Sequence, residues 1–385
     1  MPSLQRGGSS LASTSEIALV TTMKARGRKL AGPDRSRVGD GGQIAANNGI
    51  SIGESIAFVR MSMSTFSEGG EMRAIAMTDY DSGVALHELP APRPAPNELL
   101  VRVQASSVNR IDVLVAGGVL KGMMEYEFPA VPGRDFAGTV EQVGADAGRF
   151  EVGDDVFGFL TKPTVHEGAW ADYATVAEDG FVARKPSGLD FTQAAALPLA
   201  GVTALVSVDA VDPHAGDTVL IVGADGGVGS YALQLAAKRG ATVIATAKPD
   251  DEQRLRELGA AETIDYTRED VAAAVREHHR DGVSALIDLV NQADGFAPLA
   301  ELVRDGGRAA SSLGAADIDG LARRSITATN VMANADASVM GRLAELVAGG
   351  EVKATIDTVL TLAEAPAAIE RFTAGKRGKI VISFA

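Results

Sequence analysis

The chain has 385 residues, of which 46% are hydrophobic and 22% are charged, a composition typical of a globular protein with room for two domains. It contains no cysteine, which excludes disulfides, iron–sulfur clusters, thiolate catalysis and cysteine-ligated zinc. The formal net charge of −14 argues against nucleic acid or an anionic membrane as a partner, and no apolar run is long enough to predict a membrane span.

Residues 1–71 differ from the rest of the chain and are predicted to be a largely disordered leader. They are rich in Gly, Ser, Arg and Asn, and no amphipathic period persists in them. They lack the apolar core of a secretory signal, so we expect a cytoplasmic protein, with an organelle-targeting segment as the alternative. A further hypothesis is that translation begins at Met61, Met63 or Met72.

Residues 72–195 are predicted to form the first part of a β-rich domain. Strands are expected at MRAIAM, VALHELP and ELLVRVQASSV, and then at AGTVEQVG, DDVFGFL and WADYATVA. Turn residues recur about every 8–12 positions, a spacing typical of a barrel-like unit. From 185 to 208 the apolar residues change to helical spacing.

The most informative segment is 219–236, VLIVGADGGVGSYALQLA. It predicts a buried strand, a tight turn and a helix, the arrangement that binds the diphosphate of a dinucleotide. The glycines let the backbone approach the phosphates, and the helix start offers free N–H groups. The first position of the G-x-G-x-x-G pattern is an alanine, so the motif is imperfect. The candidate coenzyme-binding residues in this segment are Gly223, Ala224, Gly226, Gly227, Val228 and Gly229.

The next strand, ATVIATA, indicates which coenzyme fits. NAD sites usually place an acid at the end of this strand to bind the ribose 2′-hydroxyl. Here Thr246 is followed by Ala247 and Lys248, and the nearest acids lie beyond a proline. A lysine at this point attracts a 2′-phosphate, so the sequence predicts NADP(H) with Thr246 and Lys248 as contacts. The alternative for Lys248 is a solvated loop lysine.

From residue 216 onward strands and helices alternate, which predicts a doubly wound parallel sheet. The strands are expected at 219–223, 241–247, 262–266, 284–290 and 307–312. We therefore expect an α/β fold with a Rossmann domain over 196–325. Over 326–385 the chain is expected to return to the β unit. In that last part, a helix around 339–350 and strands at VKATI and KIVISF are expected.

Seven short motifs carry a resemblance to a known family. They are VNRID, PGRDFAGTVEQVG, VGDDVFGF, GAWADYATV, AAALPLAGVTA, GADGGVG and RGKIVI, in that order between Met72 and Ala385. Together they resemble the medium-chain dehydrogenase/reductase superfamily, and most closely its zinc-free quinone oxidoreductase branch. The resemblance implies a GroES-like β-barrel catalytic domain split around the Rossmann domain, with the nicotinamide in the cleft between them, and it allows a homodimer.

The resemblance also implies that no zinc is bound. Zinc-dependent members carry Cys-x-Thr-Asp and Gly-His-Glu where this chain has Asn109-Arg-Ile-Asp112 and Gly133-Arg134-Asp135. Zinc requires three or four nitrogen, sulfur or carboxylate ligands in a tetrahedral array, which Asn109, Arg134 and Asp135 do not provide. The five histidines are scattered, so no metal site is predicted.

Two catalytic candidates follow from the first of these motifs. Asn109 stands where the resemblance implies a substrate-facing group and can donate a hydrogen bond to a carbonyl; its alternative is a turn-stabilising role. Asp112 is a candidate acid, although a helix cap is the favoured interpretation. Relatives often carry a tyrosine where this chain has Leu114, which leaves the proton donor unassigned.

Five further residues are candidate coenzyme contacts. Thr203 and Tyr266 resemble residues that contact the nicotinamide and the adenosine phosphate in relatives. The turn after the strand near 311 lies on the coenzyme side of the sheet, which makes Ser311 and Leu313 candidates. Lys379 either reaches the coenzyme from the final segment or is a surface lysine before a strand.

The sequence therefore predicts a zinc-independent NADPH-dependent oxidoreductase that transfers a hydride to small-molecule quinones or α,β-unsaturated carbonyls. Without zinc nothing strongly polarises an alcohol, whereas an activated double bond is easier to reduce, and the coenzyme carries the chemistry. One alternative is an enoyl thioester reductase. The other is a non-catalytic NADP(H)-binding sensor or structural relative.

Overall fold

The computed structural model describes residues 70–333 and 337–384. The predicted leader and the candidate starts Met61 and Met63 lie outside the described residues, apart from Gly70 and Glu71, and Met72 lies within the first strand. No helix in the described ranges is both long and apolar enough to cross a bilayer.

Seventeen strands and ten α-helices make up the described part of the chain. The strands are β1 Glu71–Ala76, β2 Ala85–Pro90, β3 Glu98–Ser107, β4 Glu125–Tyr126, β5 Asp135–Val143, β6 Asp155–Phe159, β7 Thr164–Val165, β8 Tyr173–Ala177, β9 Val182–Arg184, β10 Thr218–Val222, β11 Thr242–Ala247, β12 Glu262–Asp265, β13 Val283–Asp288, β14 Val303–Ser311, β15 Thr327–Asn330, β16 Ile356–Thr361 and β17 Lys379–Ser383. The helices are α1 Arg110–Ala116, α2 Phe191–Ala195, α3 Pro198–Val211, α4 Gly227–Lys238, α5 Glu252–Glu257, α6 Val271–His278, α7 Ala293–Ala300, α8 Ile318–Ala322, α9 Ala337–Ala348 and α10 Ala365–Ala374.

The first unit is a seven-stranded sheet built from both ends of the described chain. Its order is β16-β17-β3-β5-β6-β9, and β8 also pairs with β3. The long strand β3 is buried at most of its positions and pairs antiparallel with β5, β8 and β17. Strand β17, close to the end of the described chain, therefore belongs to the same sheet as β3 and β5.

The second unit is a six-stranded parallel sheet in the order β12-β11-β10-β13-β14-β15. Numbered from β10, this order is 3-2-1-4-5-6, the order of a Rossmann sheet. The central strands β10 and β13 are almost entirely buried, since helices cover both faces. The predicted α/β fold, with a doubly wound sheet beside a β unit, is confirmed.

The parallel sheet extends past the predicted end of the Rossmann domain at residue 325. Strand β15, which the sequence analysis did not predict, pairs parallel with β14 from Arg308↔Thr327 to Ser311↔Asn330. The strand expected at VKATI is also displaced, because the structure places β16 at Ile356–Thr361. Both strands are half-exposed at sheet edges, so neither has the continuous apolar run of a central strand.

Helix α3 connects the two units. It begins with Pro198 at its first turn, where a proline costs no hydrogen bond, and it is buried on most sides. It packs against β5 and β6 of the β unit and against β13 and β14 of the parallel sheet. Helix α9 packs against it so closely that a Cβ on Gly201 would lie 2.2 Å from Leu343 Cδ2. The cleft between the units therefore has a rigid wall.

Candidate active site

The turn after β10 has the backbone geometry of a phosphate-binding loop. Gly223 has a φ of +83°, a conformation that side chains with a Cβ rarely adopt. A Cβ on Gly229 would lie 2.1 Å from the Gly223 carbonyl oxygen, so only glycine allows the helix to start this close to the strand. Helix α4 begins at Gly227 directly after the turn, and the N–H groups of its first turn are available to an anion.

Three cavities lie in a row along the carboxyl ends of the parallel strands, where open α/β sheets bind ligands. The first is about 480 Å³ and lies beside Thr246 and Tyr266, at the ends of β11 and β12. The second is about 320 Å³ and lies over the glycine loop. The third is about 200 Å³ and lies beyond it, at the ends of β14 and β15. Neighbouring cavities share wall residues, so they adjoin one another, and the row of three is called the channel below.

The first cavity contains two of the predicted coenzyme contacts. Thr246 is buried, and its Oγ1 accepts a hydrogen bond of 3.0 Å from the Gly223 N–H, which fixes the loop to β11. Tyr266 is 43% exposed and lines the cavity. Lys248 follows β11 as an exposed residue and does not line any of these three cavities.

The second cavity is bounded by the glycine loop, by Asn109 and by two lysines of the last segment. Its walls include the candidate coenzyme contacts Gly223, Gly226, Gly227, Val228 and Gly229, whereas the candidate Ala224 is fully buried beneath the turn. Lys379 and Lys376 line the opposite side. Burial, together with the neighbouring Lys379, lowers the pKa of Lys376 to about 8. Two ammonium groups therefore face the loop that the sequence assigns to a diphosphate.

The third cavity is mostly apolar. The candidate coenzyme contacts Thr203 and Leu313 line it, together with Val331 and Met332. The Thr203 Oγ1 donates to the Leu199 carbonyl oxygen at 2.7 Å, so this hydroxyl also satisfies the backbone of its own helix.

Ser311 does not line any of the three cavities, contrary to its assignment as a coenzyme contact. Its side chain is fully buried, and its Oγ accepts hydrogen bonds from the Leu313 and Ala315 N–H groups at 3.2 and 3.0 Å. The serine that lines the third cavity is its neighbour Ser312. Ser311 therefore shapes the turn that presents Ser312 and Leu313.

Asn109, Asp135 and Lys379 form a buried polar cluster at the junction of the second and third cavities. Lys379 Nζ donates to Asn109 Oδ1 at 2.6 Å and lies 3.5 Å from Asp135 Oδ2. Asn109 Nδ2 donates to the same Asp135 oxygen at 2.8 Å. These two hydrogen bonds fix the orientation of the Asn109 amide, whose oxygen points to the Lys379 ammonium group and whose nitrogen points to the Asp135 carboxylate.

Asp135 is further held by uncharged donors. Ser107 Oγ donates to its Oδ2 at 2.6 Å, and the Leu199 N–H at the start of α3 donates to its Oδ1 at 3.0 Å. Burial lowers the pKa of Lys379, and the neighbouring Asp135 and Asp112 carboxylates oppose that shift. Lys379 is 1% exposed, so it is a buried cation of the site and not a surface lysine.

Asp112 lies beneath this cluster and does not line any of the three cavities. Its Oδ2 accepts the Asn109 backbone N–H at 2.7 Å, which caps helix α1 from within its first turn. Burial, together with the Asp135 charge, raises the pKa of Asp112 to about 7. Its Oδ1 has no hydrogen-bond partner within the described structure. The position agrees with the capping interpretation of this residue.

The side chains at the zinc-ligand positions do not fit a zinc ion. Arg134 is buried, and its Nη1 donates to the Leu160 carbonyl oxygen at 3.1 Å. Asn109 and Asp135 are occupied by an ammonium group and by each other. A guanidinium and an ammonium group cannot coordinate a cation, so this set lacks the ligands that zinc requires. No other metal-ligand cluster occurs in the described ranges.

The same channel does fit a dinucleotide. The glycine loop supplies free N–H groups and space at its centre, with Lys376 and Lys379 opposite. The first cavity can hold an adenosine beside Thr246 and Tyr266, and the third can hold a nicotinamide beside Thr203 and Leu313.

Several wall residues were not identified from the sequence. Leu289 and Val290 follow β13, so the rule that ligands bind at the carboxyl ends of parallel strands could have identified them. Lys376 precedes β17, so the pairing of that last strand could have identified it. Asp225 lies within the glycine loop and lines the first cavity. The sequence feature that could have identified Asp225 is the presence of an acid within a phosphate-binding motif.

Comparisons with known proteins agree with this architecture. A family model described as Alcohol dehydrogenase GroES-like domain matches residues 95–187, and one described as Zinc-binding dehydrogenase matches residues 258–382. Asn109, Arg134 and Asp135, the positions where this chain differs from the zinc-dependent members, lie outside the second match and within the first.

Two plant proteins and one bacterial structure are similar to the chain. The NADPH-dependent alkenal/one oxidoreductase of Arabidopsis thaliana chloroplasts is 31% identical over 297 residues, which cover 74% of this chain and 72% of that protein. The chloroplastic quinone-oxidoreductase homolog of Spinacia oleracea is 37% identical over 204 residues, which cover 51% of this chain and 61% of the relative. The chain thus spans less than two thirds of the length of the spinach protein.

The structure of the quinone oxidoreductase from Coxiella burnetii matches with a TM-score of 0.75 and 31% identity, covering 82% of this chain and all of that one. The two family models match the β unit and the later part of the chain, and the Arabidopsis relative is 31% identical with 72% of its length covered. The chain belongs to the medium-chain dehydrogenase/reductase superfamily.

Proposed function

We propose that the chain is a zinc-independent, NADPH-dependent oxidoreductase that reduces quinones or α,β-unsaturated carbonyls of small molecules. The observation that carries this proposal is the position of the Asn109–Asp135–Lys379 cluster, which lies where the loop cavity meets the apolar third cavity. Two relatives, an alkenal/one oxidoreductase of Arabidopsis and a quinone oxidoreductase of Coxiella, support the same substrate class.

Asn109 is assigned to the substrate carbonyl. Its Oδ1 is bound by Lys379 and one Nδ2 hydrogen by Asp135, which leaves the second Nδ2 hydrogen as the donor that the amide can offer. The oxygen of a quinone or enone gains negative charge during reduction, and a fixed N–H donor near a buried ammonium stabilises that charge. Asp112 is assigned as a positioning residue, because it holds the Asn109 backbone from outside the cavities.

When bound, the reduced nicotinamide supplies a hydride, and one proton from solvent completes the reduction. The apolar walls at Leu313, Val331 and Met332 exclude water from the third cavity and favour a flat, weakly polar substrate. Lys248 is assigned to the 2′-phosphate, which it would attract from the open side of the first cavity.

We also propose a cytoplasmic homodimer. The strand β15 forms the outer edge of the parallel sheet and presents unpaired backbone groups. Such an edge is a template for pairing with a second chain.

The test is steady-state oxidation of NADPH by the purified full chain with benzoquinone, crotonaldehyde and crotonyl-CoA. We expect turnover with the first two acceptors, unchanged by a zinc chelator, and a fall in kcat of about 100-fold in Asn109→Ala, the size seen for loss of one oxyanion donor. The matched control is Asn97→Ala, an exposed asparagine in a turn of the β unit.

Two results would contradict the proposal. Turnover confined to crotonyl-CoA would support the alternative of an enoyl thioester reductase. Tight NADPH binding without turnover of any acceptor would support the alternative of a coenzyme-binding sensor.

A further inference from the structure

The wall of the first cavity contains a carboxylate from an unusual source. Asp225 lies inside the glycine loop, between Ala224 and Gly226, and lines the cavity together with Thr246 and Tyr266. Acids that bind the adenosine ribose normally stand at the end of the second strand of the sheet. In this chain β11 ends without an acid, and Asp225 brings a carboxylate to the same cavity from the neighbouring glycine loop.

The charge of Asp225 is not neutralised by a direct partner. Within residues 70–333 and 337–384, no lysine or arginine forms an ion pair with it. The nearest arginine, Arg254, is paired with Asp251 at 3.3 Å and contacts only the backbone oxygen of Asp225. Asp251 takes a second cation, Arg377, at 3.0 Å.

The remaining charges near Asp225 are the exposed Lys248, the part-buried Lys376 and further acids, of which Glu269 and Asp270 line the same cavity. Burial and the Asp251 charge raise the pKa of Asp225, while Arg254 and Lys248 oppose that shift. Lys248 is exposed and outside the lining of the cavity, whereas Asp225 is part-buried within it. The Asp225 carboxylate therefore interacts more strongly with a bound ribose than the Lys248 ammonium group does, because water screens its charge less.

We propose that Asp225 is a coenzyme specificity-determining residue that accepts the ribose hydroxyls of NADH and repels the 2′-phosphate of NADPH, so that the chain binds both coenzymes. The inference rests on the proposed function, in which the channel holds a nicotinamide coenzyme. A carboxylate accepts hydrogen bonds from the 2′-hydroxyl, whereas a phosphate monoester with a charge of about −1.5 to −2 is repelled by it. Asp225 from within the cavity lining and Lys248 from outside it thus have opposite effects on the binding of the 2′-phosphate.

The experiment measures the dissociation constants of NADH and NADPH by fluorescence titration of the full chain. The variants are Asp225→Asn, which keeps the shape and removes the charge, and Asp225→Ala, which also removes the hydrogen-bond acceptor. The control is Asp250→Asn, which removes the same charge from an exposed acid two residues after Lys248. Thermal unfolding of each variant shows whether it is folded.

We expect the unchanged chain to bind the two coenzymes within about tenfold of each other and Asp225→Asn to shift the NADPH-to-NADH affinity ratio by about tenfold or more toward NADPH. Asp250→Asn is expected to change the ratio by less than about threefold, since its charge is screened. The affinity ratio is the decisive quantity. Damage to the phosphate loop would weaken the binding of both coenzymes equally, and this effect cancels in the ratio.

A shift in Asp225→Asn and Asp225→Ala that is no larger than in Asp250→Asn would overturn the assignment and leave the proposed function standing. A strong preference of the unchanged chain for NADPH would also overturn it. If the unchanged chain binds neither coenzyme, the proposed function fails and the inference fails with it, so the two failures are distinguishable.

Discussion

The buried pair of Lys379 and Asp135 allows a quantitative test of the site. Lys379→Met removes the ammonium but keeps the length of the side chain, and it leaves the Asp135 carboxylate buried without its cation. At 3.5 Å and an effective dielectric constant of about 20, the attraction between the two charges is about 5 kcal/mol. Removing one partner of a buried pair typically costs about 3–5 kcal/mol.

The lower end of that range applies here. Asp135 keeps hydrogen bonds from Ser107, from Asn109 and from the Leu199 N–H when the lysine is lost. We therefore expect Lys379→Met to lower the free energy of unfolding of the β unit by about 3 kcal/mol. The same change removes the donor to Asn109 Oδ1, so kcat is expected to fall as well.

The assay is urea unfolding followed by the fluorescence of Trp170, the only tryptophan of the chain, which is fully buried in the β unit. Lys353→Met is the matched control, since Lys353 is exposed, and its effect should stay within about 0.5 kcal/mol. Asp135→Asn and the double variant complete a cycle that isolates the coupling between the two charges.

We expect the double variant to lose at least about 2 kcal/mol less than the sum of the two single losses, because each single change leaves one buried charge unpaired and the double change leaves none. Additivity within about 0.5 kcal/mol would refute the reasoning. It would mean that the hydrogen bonds, and not the lysine, hold the carboxylate in place.

Two further predictions concern the glycine loop and the capping acid. Gly229→Ala should abolish detectable coenzyme binding in a fluorescence titration, since its Cβ would lie 2.1 Å from the Gly223 carbonyl oxygen, whereas Gly341→Ala, with open space around its Cβ, should leave binding unchanged. Asp112, whose pKa is raised to about 7 in the folded chain, binds a proton that the unfolded chain releases near pH 4, so its contribution to stability is lost as the pH rises from about 4 to 7. Asp112→Asn should therefore match the unchanged chain near pH 4 and exceed it in urea midpoint at pH 8, with the difference growing between these values; a constant difference across this range would contradict the raised pKa.

The central part of the fold could be predicted from the sequence because burial imposes a pattern on it. Strands β10 and β13 are nearly continuous apolar runs, as expected where helices cover both faces of a parallel sheet. Strand β15 reads TATN and lies half-exposed at the edge of the sheet, so its existence depends on pairing with β14 and not on its own composition. Strand β16 was misplaced for the same reason, since its residues alternate between half-buried and exposed positions.

The candidate site likewise has one part that could be predicted from local sequence and one part that depends on long-range contacts. The glycine loop is local, so its backbone requirement could be predicted from consecutive residues. The contact between Asn109 and Lys379 joins residues 270 positions apart, and it follows from strand register alone. Strand β17 runs antiparallel to β3 with Val381 opposite Ser107, which brings the residue two positions before Val381 beside the residue two positions after Ser107. Strand β5 places Asp135 opposite the same Ser107, so three strands converge on one point. Because a shift of register by one residue would turn Lys379 to the other face of the sheet, the cluster depends on pairings that no single segment of the sequence specifies.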